Sequence, residues 1–213
     1  MALKVVFLDW YGTLSVSRFF EHWTSPDHRY YQHFLDIQRW WDSSADLEFQ
    51  RDWLVGKRST DDWLEIASGL SGLEISVLRS ELIEGMRGWR LIEPATLELV
   101  CALQARGVRV VIASDNVDVF DKFALPAMGL SETFDGVLNS AVLGYQKGDP
   151  DEFGRSRFFV PYLESNGIGS GESVLIDDSE GVRQVIERTG IRFLHAPKGT
   201  GPGRNLRELL VSG

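Results

Sequence analysis

The sequence is short of cysteine, short of positive charge, and without a long apolar run. A single cysteine, Cys101, in 213 residues excludes an intrachain disulfide. It lies in the apolar stretch Leu99-Val100-Cys101-Ala102-Leu103, where a buried thiol is expected. Lysine and arginine number 22 against 31 acids, a net charge of −9. That deficit argues against nucleic acid or an anionic membrane as partner, because both demand a cationic footprint. A small anionic substrate needs only a few local donors and is not excluded. No segment approaches the roughly 18–20 apolar residues that span a bilayer. The first apolar run, Val5 to Leu8, is a strand's length and stops at Asp9, with no leader-like pattern, so a cytoplasmic protein is expected. There is no internal repeat and no low-complexity tract.

What is present is the composition of a globular protein, 43% apolar and 25% charged. The length suffices for one full core and a smaller inserted module. Short β-branched runs at 5–8, 108–113, 134–138, 173–176 and 191–194 alternate with helical stretches, as in a parallel sheet covered by helices. Their continuous apolar character suits strands buried on both faces. Pro94 and Gly107 bracket a helix over 94–106, and another is expected at 205–211. Between the first two strands no further strand is evident. Tyr30, Phe34, Ile37 and Trp41 recur at helical spacing, Ser71-Gly72-Leu73-Glu74 has the form of a capping box, and Gly56 and Gly69 read as helix stops. One crossover helix cannot account for that interval, so residues 15–93 are expected to form an inserted helical domain, with 1–14 and 94–213 forming the α/β core. All seven tryptophans fall in the first 89 residues. Trp23, Trp40, Trp41, Trp53, Trp63 and Trp89 are expected to fill the insertion's core, and Trp10 to line the mouth of a site. The glycine-rich 198–203 is neither a Walker A loop nor a dinucleotide fingerprint, and reads as a flexible connector.

In open parallel sheets, ligands bind beyond the carboxyl ends of the strands. The first strand ends in Asp9, followed by Trp10-Tyr11-Gly12-Thr13; the second ends in Ser114-Asp115-Asn116; the fourth ends in Asp177-Asp178; Lys147 follows the third. Any one of these is ordinary as a cap or loop charge, but four in order at strand ends form a site. A carboxylate such as Asp9 can attack phosphorus or an activated carbon, and water later opens the acyl intermediate. Nucleophile and phosphate repel each other, so a divalent cation is needed between them. Asp9, Asp178 and Asp177 offer the hard oxygen ligands that Mg²⁺ prefers. Lys147 would neutralise remaining charge, and the Thr13 and Ser114 hydroxyls would donate to phosphoryl oxygens. Trp10 and Asp115 join the candidate substrate contacts.

These motifs resemble those of the haloacid dehalogenase superfamily. Val5-Val6-Phe7-Leu8-Asp9-Trp10-Tyr11-Gly12-Thr13-Leu14 is similar to its first motif, Ser114 to its second, Lys147 with Asp149-Pro150 to its third, and Asp177-Asp178 to its acidic fourth. The resemblance implies a Rossmann-like three-layer core with strand order 5-4-1-2-3, an all-helical cap inserted after the first motif, and an aspartate nucleophile. One position departs. Phosphatases of the superfamily usually carry an acid–base aspartate two residues after the nucleophile; here it is Tyr11, as in the metal-free dehalogenases. A phenol with a reference pKa near ~10 is a poor general base at neutral pH. Its backbone carbonyl can still bind metal.

The favoured reading is a Mg²⁺-dependent phosphatase of a small phosphorylated metabolite, working as a monomer or homodimer. The alternatives are a metal-free 2-haloacid dehalogenase, which needs a cap arginine (Arg18, Arg29, Arg39 or Arg51), and a catalytically weak phosphate-binding protein. His22, His28, His33 and Asp115 are candidates for the missing acid, and His195 edges the site or serves its loop.

Overall fold

A computed structural model describes residues 2–43 and 47–212. Five parallel strands, β1 Val5–Leu8, β2 Arg109–Ser114, β3 Val137–Asn139, β4 Ser173–Asp177 and β5 Arg192–His195, lie in the order β3-β2-β1-β4-β5. This is the order the family resemblance implies. Period-2 alternation divides their side chains between two layers. Val6, Leu8, Val110, Ile112, Val174 and Ile176 face one apolar cluster. Val5, Phe7, Val111, Ala113, Leu175 and Phe193 face the other. α5 (Thr96–Gln104) and α10 (Gly203–Ser212) cover the first layer through Val100, Leu103, Leu206 and Leu209. On the second, Leu163 of α8 (Val160–Ser165) and Ile186 of α9 (Arg183–Arg188) pack with Phe158 and Phe159.

The expected third strand, 134–138, is shorter and later than its apolar pattern suggests. Asp135 holds β2 with its carboxylate, accepting Val110 N–H, while its own N–H donates to the Val110 carbonyl. The chain therefore joins the parallel ladder only at Val137. β2 and β4 each run one residue further than expected, to Ser114 and Asp177, carrying those polar side chains into buried positions.

Between β1 and β2 the insertion contains α1 (Tyr31–Asp42), α2 (Leu47–Leu54), α3 (Thr60–Ser71) and α4 (Ile75–Arg87). The capping box lies at the start of α3, where Ser59 and Asp62 satisfy each other's backbone N–H groups. The expected box at 71–74 does not form. Ser71 ends α3 with its hydroxyl on the Ala67 carbonyl, and α4 starts after Glu74 without a side-chain cap. Gly69 lies inside α3, and the stop is Gly72 in the left-handed region at φ 71°. Gly56 does follow α2, at φ 71°. A β-carbon there would lie 2.0 Å from the Ala141 carbonyl oxygen, beside α7 (Ser140–Leu143), so the insertion rests on the core through bare backbone.

Trp23, Trp53, Trp63 and Trp89 are buried, and they join the same apolar cluster as Leu8 and Val110. Trp40 is partly buried, whereas Trp41 is 40% exposed. Trp10 is core rather than mouth: 1% exposed, it packs against Phe120 and Trp89 with ring centroids 5.0 and 6.2 Å away. Cys101 is exposed, not buried, because the inward face of α5 is taken by Val100 and Leu103. Among the described residues no helix is long and apolar enough to cross a membrane.

Candidate active site

The register of the sheet assembles the site. Leu8 pairs with Ile112 on one side and Ile176 on the other, which puts Asp9 level with Asp177 on the neighbouring strand. Both carboxylates continue the odd-numbered face of their strands, following Phe7 and Leu175. Asp9 N–H donates to the Ile176 carbonyl at 3.0 Å, which seals the strand end. Lys147 Nζ sits between the two acids, 2.6 Å from Asp9 Oδ1 and 2.5 Å from Asp177 Oδ2. The lysine is pinned at both ends of its own peptide. Its N–H donates to Asp115 Oδ1, and its carbonyl accepts the Ser156 hydroxyl. Asp177 Oδ1 accepts Ser179 N–H, so both oxygens of Asp177 accept a hydrogen bond.

Asp178 approaches from the next position along. A β-carbon on Gly12 would lie 2.3 Å from Asp178 Oδ2, so only glycine, here at φ 100°, lets that carboxylate reach the loop after β1. Asp9, Asp177 and Asp178 offer oxygens that all lie within 4.8 Å of one another. Asp9 Oδ2 and Thr13 Oγ1 are buried without a hydrogen-bond partner among the described residues. Native interiors rarely leave such atoms unpaired, so both point to a ligand position.

The electrostatics agree. Burial pushes the Asp9 carboxyl up to about 7; the Lys147 ammonium opposes the rise and the Asp177 charge adds to it. Burial also raises Asp115 and Asp178, with Asp177 reinforcing the rise at Asp178. Burial works against the Lys147 charge, but Asp9, Asp177 and Asp115 outweigh it and hold the ammonium well above its ordinary pKa. One ammonium among four carboxylates leaves a negative excess that a divalent cation would relieve. The donor set, hard oxygens with one buried carboxylate oxygen unpaired, fits Mg²⁺.

A family model for haloacid dehalogenase-like hydrolases matches residues 3–155. The chain belongs to that family. No curated protein matches it in sequence. Among solved structures, a predicted HAD-like family hydrolase from Porphyromonas gingivalis superposes at a TM-score of 0.68 and 18% identity, covering 99% of this chain and 98% of the other. A HAD family enzyme from Bacteroides thetaiotaomicron, determined as a magnesium complex, gives 0.64 at 19% identity, covering 93% and 96%. The L-2-haloacid dehalogenase from Xanthobacter autotrophicus, with chloropropionic acid covalently bound, gives 0.62 at 16%, covering 91% and 77%. At these identities the likeness is one of fold.

In this haloacid dehalogenase-like hydrolase the remaining site candidates fall as follows. Ser114 ends β2, buried, with its hydroxyl accepting Asn116 Nδ2 at 3.3 Å. Asp115 braces the Lys147 loop with the oxygen that accepts Lys147 N–H. Tyr11 is partly buried, and its hydroxyl accepts Arg18 Nε–H at 2.9 Å. His195 meets the Asp178 carbonyl at 3.1 Å, bracing the acidic loop. The histidines of the insertion are engaged within it, His22 with Glu81 and His33 with the Ser71 carbonyl. Arg29, Arg39 and Arg51 pair with Glu81, Asp36 and Asp149.

The glycine-rich segment 198–203 carries a residue of the site's surroundings that its sequence did not reveal. It is anchored rather than a flexible connector: Gly199 N–H donates to the Gly12 carbonyl at 2.7 Å, and Gly203 N–H to Glu93 Oε2 at 2.8 Å. Lys198 Nζ is thereby held 4.5 Å above the centre of the Tyr11 ring. The only sequence signal was the density of glycines, which marks close backbone approach as well as flexibility. The cluster itself is closed, with Asp9 5% and Lys147 4% exposed. Two surface clefts lie elsewhere, one against Arg29, Tyr30 and Glu81, the other against Trp89, Pro94 and Met128.

Proposed function

We propose that the protein is a Mg²⁺-dependent phosphohydrolase acting on a small phosphorylated metabolite through an aspartyl-phosphate at Asp9. The observation that carries this reading is the second carboxylate, Asp178, admitted by Gly12 to the side of Asp9, whose Oδ2 has no hydrogen-bond partner among the described residues. Displacement of halide from carbon has no use for a cation-binding acid there; phosphoryl transfer does. The magnesium complex of the Bacteroides thetaiotaomicron relative supports it.

Asp9 Oδ2 attacks phosphorus, and the ester P–O bond breaks as the new one forms, releasing the alcohol as its oxyanion; water then cleaves the aspartyl-phosphate to inorganic phosphate and returns the carboxylate. Lys147 keeps Oδ1 fixed and neutralises charge on the phosphoryl oxygens. The buried Thr13 hydroxyl and Ser114 donate to those oxygens. Asp9 and Asp178 would hold Mg²⁺, joined by the Tyr11 carbonyl, which accepts no backbone hydrogen bond among the described residues. The ion supplies charge neutralisation between two anions. Asp177 fixes Lys147 through Oδ2 and accepts Ser179 N–H through Oδ1; a lone pair stays on each oxygen, so it is a further ligand of the same acidic cluster. Tyr11 offers no efficient proton transfer, so substrates with good leaving groups are favoured. Residues 15–93 act as the cap that closes over the cluster.

A metal-free dehalogenase is the second reading, favoured by Tyr11 and its Arg18 partner. Turnover of 4-nitrophenyl phosphate that disappears with chelator, and falls roughly 10²–10³-fold in Asp178→Asn, is expected for the first. Halide release from a 2-haloacid that chelator leaves untouched would replace it with the second.

A further inference from the structure

Four arginines of the insertion were candidates for anion binding, and three are neutralised by carboxylates. Arg18 is different. Its Nε–H donates to the Tyr11 hydroxyl, and among the described residues its side chain pairs with no carboxylate, which leaves the terminal guanidinium nitrogens free for a bidentate contact. Lys198 is a second cation at the same tyrosine, placed over the ring face instead of the hydroxyl. It too pairs with no carboxylate at ion-pair distance among the described residues, although it is near enough to Asp178 to oppose that group's upward shift.

The backbone of the loop that carries Lys198 is anchored beside the loop after β1. Gly199 N–H is bonded to the Gly12 carbonyl, and a β-carbon on Gly199 would lie 3.8 Å from Val16, two residues before Arg18. A β-carbon on Gly201 would lie 2.4 Å from Glu93 Oε2, so the loop carrying Lys198 is clamped at its far side as well. In a chain of net charge −9, two cations whose side chains form no ion pair among the described residues converge on the residue two positions from Asp9. A pair of cations not closed off by ion pairs of their own is suited to an anion supplied from outside.

We infer that Arg18 and Lys198, flanking Tyr11, form a subsite for a second anionic group of the substrate, a carboxylate or another phosphate close to the phosphoryl group that Asp9 attacks. The inference rests on the phosphohydrolase reading and narrows its substrates to metabolites with two anionic groups near each other. Arg18 supplies planar, paired donors and Lys198 a point charge; Tyr11 spaces them and offers its own hydroxyl proton, since Arg18 can only donate to it.

Calorimetric titration of the full chain with Mg²⁺ tests this, using phosphonoacetate, which has a phosphonate and a carboxylate, against methylphosphonate, which has only the first. The wild type is expected to bind phosphonoacetate about tenfold more tightly. Arg18→Ala and Lys198→Ala should each bring the ratio close to one, Lys198→Arg should keep it, and Arg204→Ala on α10 should leave it as in the wild type. Equal affinities in the wild type overturn the inference. So does a preference that survives both alanine variants, because chelation of the metal by the carboxylate would give that pattern. Failure of both phosphonates to bind, with no turnover of 4-nitrophenyl phosphate, has a different signature: it removes the phosphohydrolase reading and this subsite with it.

Discussion

The molecule contains two clusters built around acids, and they have opposite electrostatics. In the insertion, Glu81 accepts Trp23 Nε1 and His22 Nε2 at 2.9 Å and Arg29 at 3.1 Å. Burial would push that carboxyl up, but the three donors outweigh it and hold it below its ordinary value. At the strand ends, burial holds Asp9, Asp115 and Asp178 all above theirs, the Asp177 charge adds to the rise, and the Lys147 ammonium only partly offsets it. The first cluster has its donors built in and stabilises the fold. The second is short of positive charge, so its charged form is costly until something binds. A carboxylate left unsatisfied in a buried site points to function, and a satisfied one to architecture.

The largest effect should come from removing the unsatisfied acid. Asp9→Asn is expected to lower hydrolytic turnover by roughly 10⁴–10⁶-fold. The same change should stabilise the metal-free protein. Asp9's folded pKa of about 7 is above its unfolded value of 3.8. Its contribution is therefore intact below the unfolded value and is lost as pH rises through the folded one. Melting curves in chelator should show Asp9→Asn gaining on the wild type between about pH 4 and pH 8. An unchanged or falling difference over that window would contradict the picture of a strained cluster.

Glu81→Gln should do the reverse. Losing a charged acceptor for three donors is expected to cost about 1–3 kcal/mol, or a Tm fall of roughly 2–4 °C for each kcal/mol in a chain of this size. Glu81's depressed pKa adds a sign: its contribution is present above the unfolded value of 4.5 and is lost as pH falls through the folded one. The variant's deficit should therefore shrink on acidification, the opposite trend to Asp9→Asn. The smallest effect is expected at the rim. Arg51→Ala removes a pair to Asp149 whose arginine is 64% exposed, and should change stability by less than about 1 kcal/mol. A larger loss in thermal melts would make that pair a fastening of the insertion to the core.

The strand-end residues were legible because a parallel sheet sends every carboxyl end to one edge, so chain order alone lists what converges there. Elements dominated by long-range contacts were harder to read. β3 starts late because the Asp135 side chain reaches across to β2. Trp10, next to Asp9 in sequence, turns away into the core against Phe120. Gly69 and Ser71 carried local signals for helix ends that the packing of α3 overrode. The segment 198–203 looked loose because glycines permit mobility as readily as close approach; the bond between Gly199 and Gly12, residues far apart in the chain, decides between them.

Residue type and spacing by themselves determined the α/β class and the presence of a helical insertion after the first strand, and they named Asp9, Ser114, Lys147 and Asp178 as site candidates. They could do so because strand periodicity and the placement of acids at strand ends are local properties of the chain. Only the tertiary structure decided how those groups divide the work. It set Asp177 on the lysine, admitted Asp178 past Gly12, left Asp9 Oδ2 without a partner among the described residues, and brought Arg18 and Lys198 to opposite parts of Tyr11. Those outcomes depend on distances between segments as much as 187 residues apart in sequence (Tyr11 to Lys198), which no local pattern encodes.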